Sequence, residues 1–219
     1  MNNNKTYWDK KIIEWEDSIR TGGNICFVER LASHFRRPLK FRTEICIEML
    51  KPIVKDKKVL ELGCGSGFFA FELYDRCKPM HITGMDISVN AIGRAQKIAR
   101  DKKLTDKFGF TEGDITSISL PESDVTIGLG FLDYLTSAEI KTVFDNIRSN
   151  YFLFTFTERR FSLLRYIHIL YLWSQKCPRH FYYTKNEMAN CIDNKYGKVR
   201  FFNDRRLSFG CMVHNLPIP

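Results

Sequence analysis

The chain has no two cysteines at C-x-x-C spacing and no histidine cluster at zinc-ligand spacing; its seven cysteines, at 26, 46, 64, 77, 177, 191 and 211, are widely scattered. That argues against zinc-ribbon and dithiol redox sites, so no metal is expected and the thiols are expected to be reduced core residues of a cytoplasmic protein. No stretch holds the roughly 18 uninterrupted apolar residues that a membrane span needs, and Met1-Asn2-Asn3-Asn4-Lys5 lacks the apolar core of a signal peptide. Acidic charge is also short: 34 Lys and Arg face 25 Asp and Glu, a net charge of +9. Between Glu158 and Arg206 eleven basic residues face four acidic ones, so +7 lies in that stretch. Beyond solubility, such a surplus suits an acidic small molecule, an anionic membrane surface or nucleic acid. Nucleic acid is disfavoured because no separate basic module accompanies the charge, whereas peripheral membrane contact stays open.

What is present reads as a soluble globular protein, 44% hydrophobic and 27% charged, and 219 residues suffice for one domain with a sizeable core. A single domain over 1–219 is expected, with an N-terminal helical cap over 1–52 and an inserted segment over 158–184. In the cap, Trp8, Ile12 and Trp15 or Glu16 recur at helical spacing, Gly22-Gly23 breaks the chain, and Phe41, Ile45 and Met49 mark a second helix ending near Pro52. Strands near 58–62, 81–86, 107–112, 123–129 and 150–156 alternate with helices near 67–77, 88–102 and 137–148, which predicts an α/β, Rossmann-like doubly wound sheet. Thr136 to Glu139 and Thr184 to Glu187 have capping-box form. The tail, with strands over 198–202 and 207–215, completes a seven-stranded, mostly parallel sheet with a C-terminal antiparallel hairpin.

The motif that carries chemistry is Lys58-Val59-Leu60-Glu61-Leu62-Gly63-Cys64-Gly65-Ser66-Gly67: a buried strand, an acid near its end, and three alternating glycines. Glycines let the backbone turn sharply and approach a ligand closely. The spacing G-x-G-x-G differs from the dinucleotide fingerprint G-x-G-x-x-G. A second strand ends at Asp86, 19 residues after Gly67, where a carboxylate accepts from ribose hydroxyls in dinucleotide folds. Asp86 could equally open a turn in front of a helix capped by Ser88. Gly113-Asp114-Ile115 ends a third strand, a fourth ends in the small residues Gly128 and Gly130, and Phe131, Asp133 and Tyr134 follow it.

These elements, in this order, resemble the class I S-adenosylmethionine-dependent methyltransferases. The resemblance implies that Glu61 holds the ammonium group of the cofactor, that Gly63, Cys64, Gly65 and Gly67 pass beneath it, and that Asp86 with Ile87 meets the ribose. It also implies that Asp114 reads the adenine amino group beside Ile115, and that Gly128 leaves room for the cofactor. Arg42, on the helix before the sheet, is a candidate partner for the cofactor carboxylate or else a solvated helix charge, and Tyr7, Trp8, Arg36 and Arg37 are candidates to close the lid. The aromatic segment Phe161–Trp173, followed by Cys177–Tyr183, resembles small bacterial enzymes related to the magnesium-protoporphyrin O-methyltransferases. Asp133, Tyr134 and His168 are the catalytic candidates, with His180 a further base.

The expected function is methyl transfer from S-adenosylmethionine, leaving S-adenosylhomocysteine, to the oxygen or nitrogen of an amphiphilic or acidic small-molecule acceptor. The alternatives are a module that binds either form of the cofactor without turnover, and an RNA methyltransferase.

Overall fold

The computed structural model describes residues 3–21, 27–161, 163–192 and 194–218. Seven strands form one sheet: β1 (Lys58–Leu62), β2 (His81–Asp86), β3 (Phe108–Glu112), β4 (Val125–Leu129), β5 (Tyr151–Thr157), β6 (Arg200–Phe202) and β7 (Gly210–His214). Their order is β3-β2-β1-β4-β5-β7-β6. β1 to β5 run parallel, and β7 pairs antiparallel with both β5 and β6. The strand order reverses between β1 and β4, and the crevice at such a switch point is where open α/β sheets take their ligands.

The helices are α1 (Asn3–Thr21), α2 (Phe27–Val54), α3 (Phe68–Cys77), α4 (Val89–Asp101), α5 (Ser137–Asn146), α6 (Leu163–Ser174) and α7 (Lys185–Asn190). β1 shows why the sheet is covered on both faces. Val59 packs into a layer with Ile47 and Leu50 of α2 and Leu73 of α3, whereas Leu60 and Leu62 face Ile140, Val143 and Phe144 of α5. Parallel strands buried this way carry continuous apolar runs. Phe144 is fully buried against Phe152 and Phe154, and truncating such a ring to alanine costs about 3–5 kcal/mol.

Ser88 caps α4 through Ala91 N–H at 3.2 Å, and both expected capping boxes form, Thr136 with Glu139 and Thr184 with Glu187. One boundary differs from the sequence reading. α2 runs through Pro52 to Val54, whose buried side chain holds the last turn against the sheet, so tertiary packing overrides the proline signal. The insertion holds one helix, α6, and then returns as irregular chain: Tyr183 bridges to Glu158, with Tyr183 N–H donating to Thr157 O at 3.1 Å. Gly22-Gly23 and the side chains of Trp15, Arg36 and Arg37 lie outside the described residues.

α1 lies across the carboxyl ends of the strands. It is held to α4 by Arg94 and Asp17 at 2.6 Å and by Asn90 donating to Asp9 O at 2.8 Å, while Lys5 pairs with Glu112 at the end of β3. The expected cap is therefore a lid over the switch point.

Candidate active site

A cavity of about 340 Å³ opens at the carboxyl ends of β1 to β5, within the range of small-molecule sites of about 300–1,000 Å³. At one end its wall comprises Gly63, Asp86, Ile87, Asp114 and Ile115. The glycine loop fixes this end. Gly63 N–H donates to Met85 O at 2.8 Å, and Gly65 N–H donates to Asp86 Oδ2 at 2.8 Å, while Ser88 N–H donates to Asp86 Oδ1 at 2.9 Å. The carboxylate thus anchors the turn into α4, as the alternative reading of Asp86 has it, while Asp86 also lines the cavity and each oxygen can accept further bonds. Asp114 is oriented by Thr116, whose N–H and hydroxyl donate to Oδ1 at 3.1 and 2.6 Å.

Behind this end lies a buried acidic group. Burial pushes the Glu61 carboxyl up to about 8, helped by the charges of Asp86 and Glu16, and Glu61 Oε2 has no hydrogen-bond partner among the described residues. Glu16, from the lid, accepts from Ser66 N–H at 2.8 Å through Oε1, and its Oε2 is likewise buried without a partner. Gly65 has φ +53°, and a Cβ there would lie 2.4 Å from Glu16 Oε1, so only glycine admits the lid carboxylate. Buried carboxyls short of donors suit a cationic ligand.

The other end is aromatic. Tyr134 packs edge-on against Trp8 at 4.8 Å between ring centres and against His180 at 5.4 Å; the His168 and His180 rings lie 5.2 Å apart. His168 Nδ1 meets Tyr182 Oη at 2.9 Å. Burial pushes His168 down to about 4, and burial with the neighbouring His168 pushes His180 down to about 3. Both rings are therefore neutral at pH 7. His180 Nδ1, Thr155 Oγ1 and Ser208 Oγ are buried without partners among the described residues, and all three residues line the wall.

Asp133 and Arg42 stand between the two ends. Asp133 is 6% exposed. Its Oδ1 accepts from Thr157 N–H at 2.6 Å, and its carbonyl accepts from Phe181 N–H at 2.7 Å, joining the turn after β4 to the end of β5 and to the insertion. Burial raises it to about 6 against the opposing Thr157 bonds and the Arg42 charge. Arg42 reaches Gly130, where φ is +79° and a Cβ would lie 2.6 Å from Nη1, and its Nε has no partner among the described residues.

Of the residues expected at the cofactor, Arg42, Gly63, Asp86, Ile87, Asp114 and Ile115 line the cavity, as do Asp133, Tyr134 and His168. Glu61, Cys64, Gly65, Gly67 and Gly128 stand outside that wall. Gly128 instead admits ring packing, since a Cβ would lie 2.3 Å from Phe131 and 2.8 Å from Phe154. Thr155, Ser208 and Phe209 join the wall without a sequence motif; the one local signal is Ser208, a non-glycine residue at φ 57°.

Residues 53–156 match a family model described as a methyltransferase domain. Over 91 residues, 42% of the chain, it is 30% identical to a sterol 24-C-methyltransferase of Gibberella zeae, and over 74 residues, 32% of the chain, 40% identical to a release factor glutamine methyltransferase of Dictyoglomus turgidum. The chain spans only 24% and 26% of those proteins. Among solved structures, the magnesium protoporphyrin IX methyltransferase of Synechocystis PCC 6803 with bound SAH superposes with a TM-score of 0.72, at 16% identity, over 96% of each chain. The methyltransferase domain of bacterial CtHen1 superposes with a TM-score of 0.62, at 19% identity, over 81% of this chain and 98% of that one. Residues 53–156 are thus similar to methyltransferase domains, and the sheet has the fold of those solved methyltransferases.

Proposed function

We propose that the chain transfers a methyl group from S-adenosylmethionine to the carboxylate of an amphiphilic small molecule. The observation that carries this reading is a single cavity whose wall joins Asp86 and Asp114 to His180, Thr155 and Ser208, so that donor and acceptor can meet in one shared space. The wall fits the cofactor: Asp86 offers acceptors for ribose hydroxyls, Asp114 and Ile115 an edge for adenine, and Arg42 a cation with an unused donor for the methionine carboxylate. Glu61, once it gives up its proton to the bound cation's field, and Glu16 add negative potential behind the glycine loop. When bound, the cofactor supplies an electrophilic sulfonium methyl.

The residues of the chain then have to align the acceptor and exclude water, which accounts for much of the rate in an in-line displacement. Trp8 and Ile12 from the lid, with Tyr134, Tyr171 and Leu172, make the apolar enclosure. Asp133 is a positioning residue, because its carboxylate and carbonyl hold three wall segments in register. His168 and His180 are poor bases with pKa values near 4 and 3. A carboxylate acceptor is already ionised and needs no base, and the hydroxyls of Thr155 and Ser208 can donate to it. The Synechocystis relative acts on magnesium protoporphyrin IX by its name, which accords with a large amphiphilic acceptor.

The test is incubation of the chain with methyl-labelled S-adenosylmethionine and a panel of amphiphilic carboxylic acids. A methyl ester releases its label as methanol in alkali. Alkali-stable label would move the acceptor atom to a phenol or nitrogen, and cofactor binding without transfer to any acceptor would favour the binding-module reading.

A further inference from the structure

We propose that α6 and the chain just before it form a docking surface for an anionic lipid bilayer, over the acceptor end of the cavity. The helix has two working faces. His168, Tyr171 and Leu172 line the cavity, whereas Tyr166, Ile169, Leu170 and Trp173, at i, i+3, i+4 and i+7, face outward and are 48%, 43%, 66% and 82% exposed. Phe161, 83% exposed, packs edge-on to Tyr166 at 6.4 Å and extends the stripe. These five residues are most of the large hydrophobic side chains found exposed among the described residues, and a contiguous stripe of this kind marks a contact surface.

Charge selects the occupant. From Arg159 to Asn186 the sequence holds six basic residues, Arg159, Arg160, Arg165, Lys176, Arg179 and Lys185, and no Asp or Glu. Carboxylates from elsewhere pair with Arg159, Arg160, Arg179 and Lys185, while Arg165 lies over the rings of Tyr166 and Tyr182, and Lys176 is exposed just past the end of α6. A second copy docked on the same stripe would bring two such basic segments together, whereas a bilayer carrying anionic headgroups complements both the aromatic stripe and the cations. No described helix is long and apolar enough to cross a membrane, so the contact is interfacial. An acceptor partitioned into that bilayer would enter the cavity past His168 and Tyr171. This last step rests on the methyl-transfer reading; the docking itself does not.

The experiment is flotation of the full chain with vesicles of phosphatidylcholine alone or of phosphatidylcholine mixed with phosphatidylglycerol, alongside calorimetry of S-adenosylmethionine binding. Binding to the mixed vesicles should exceed that to neutral ones by about tenfold or more and weaken as salt rises. The double substitution Leu170→Ser with Trp173→Ser should remove most of it while leaving cofactor affinity unchanged, which shows that the variant is folded. Equal binding to both vesicle types, no flotation at low salt, or undiminished flotation of the double variant would overturn the proposal. So would a dimer in analytical ultracentrifugation that the double substitution dissolves. Methyl transfer can fail while flotation succeeds, so the two proposals fall separately.

Discussion

At one end of the cavity Gly63, Asp86 and Asp114 each sit at, or just beyond, the carboxyl terminus of a parallel strand; at the other, His168 comes from α6, His180 from irregular chain, and Ser208 from the loop before β7. The first end is fixed by backbone amides of a short glycine loop and gathers the carboxyls of Glu61, Glu16 and Asp86, which burial pushes up. The second is fixed by ring packing between segments far apart in the sequence and gathers neutral rings and hydroxyls without partners. On the proposed methyl-transfer reading, the difference lets one sheet serve a constant donor and a variable acceptor: strand ends place the donor groups, and what is laid over them places the rest.

The largest expected effect tests the electrostatics of the donor end. Glu61 holds a proton to about 8 in the folded chain, against 4.5 as its ordinary value. Between those values the folded state binds a proton that the unfolded state has lost, so Glu61 makes stability fall as pH rises from about 4.5 to about 8. The full effect is on the order of 5 kcal/mol. Glu61→Gln should flatten that part of the pH profile in denaturant titrations of the ligand-free chain. In the parent chain, binding the cationic cofactor should release protons, seen as a dependence of calorimetric enthalpy on the buffer. An unchanged stability profile in the Gln variant would show that Glu61 is already ionised and that the two ends do not differ in this way.

Asp86→Ala sharpens the same comparison at the next size. Removing hydrogen bonds to a charged group costs about 1.5–3 kcal/mol, a loss of roughly 10- to 150-fold in cofactor affinity by calorimetry. The effect should appear in cofactor affinity, with the KM for the acceptor nearly unchanged. A comparable rise in acceptor KM would mean that the loop braced by Asp86 through Gly65 and Ser88 supports both ends together.

The donor end was legible in the sequence because its determinants are local. A strand of apolar residues, glycines at fixed offsets and an acid at a strand end are each set by backbone sterics within a few residues, so Asp86, Asp114 and the seven-stranded sheet could be read before the structure. Glu16 was not readable as a partner of Ser66, since helical periodicity gives the buried face of α1 but not what that face meets. The acceptor wall was readable only in part: the aromatic insertion announced itself by composition, whereas Thr155, Ser208 and Phe209 look like ordinary strand and loop residues until the antiparallel pairing of β7 with β5 brings them beside His168.

The smallest expected effect separates stability from acceptor binding at Ser208. Its backbone sits at φ 57° and ψ −113°, a region that glycine adopts far more readily than serine, and its hydroxyl is buried without a partner in the cavity wall. Ser208→Gly should therefore raise folding stability, by about 1 kcal/mol, measurable as a shift of the denaturant midpoint with unchanged slope. The same change removes a donor to a charged acceptor, worth about 1.5 kcal/mol, the low end for such bonds, because Thr155 can still donate. The KM for a carboxylate acceptor should then rise about tenfold while cofactor affinity stays put. Strain held at the acceptor end and absent from Asp86 would make the contrast between the two ends energetic as well as architectural. A variant that gained stability without any change in acceptor KM would leave Ser208 a loop residue, and would place the acceptor contacts on Thr155 and His180 instead.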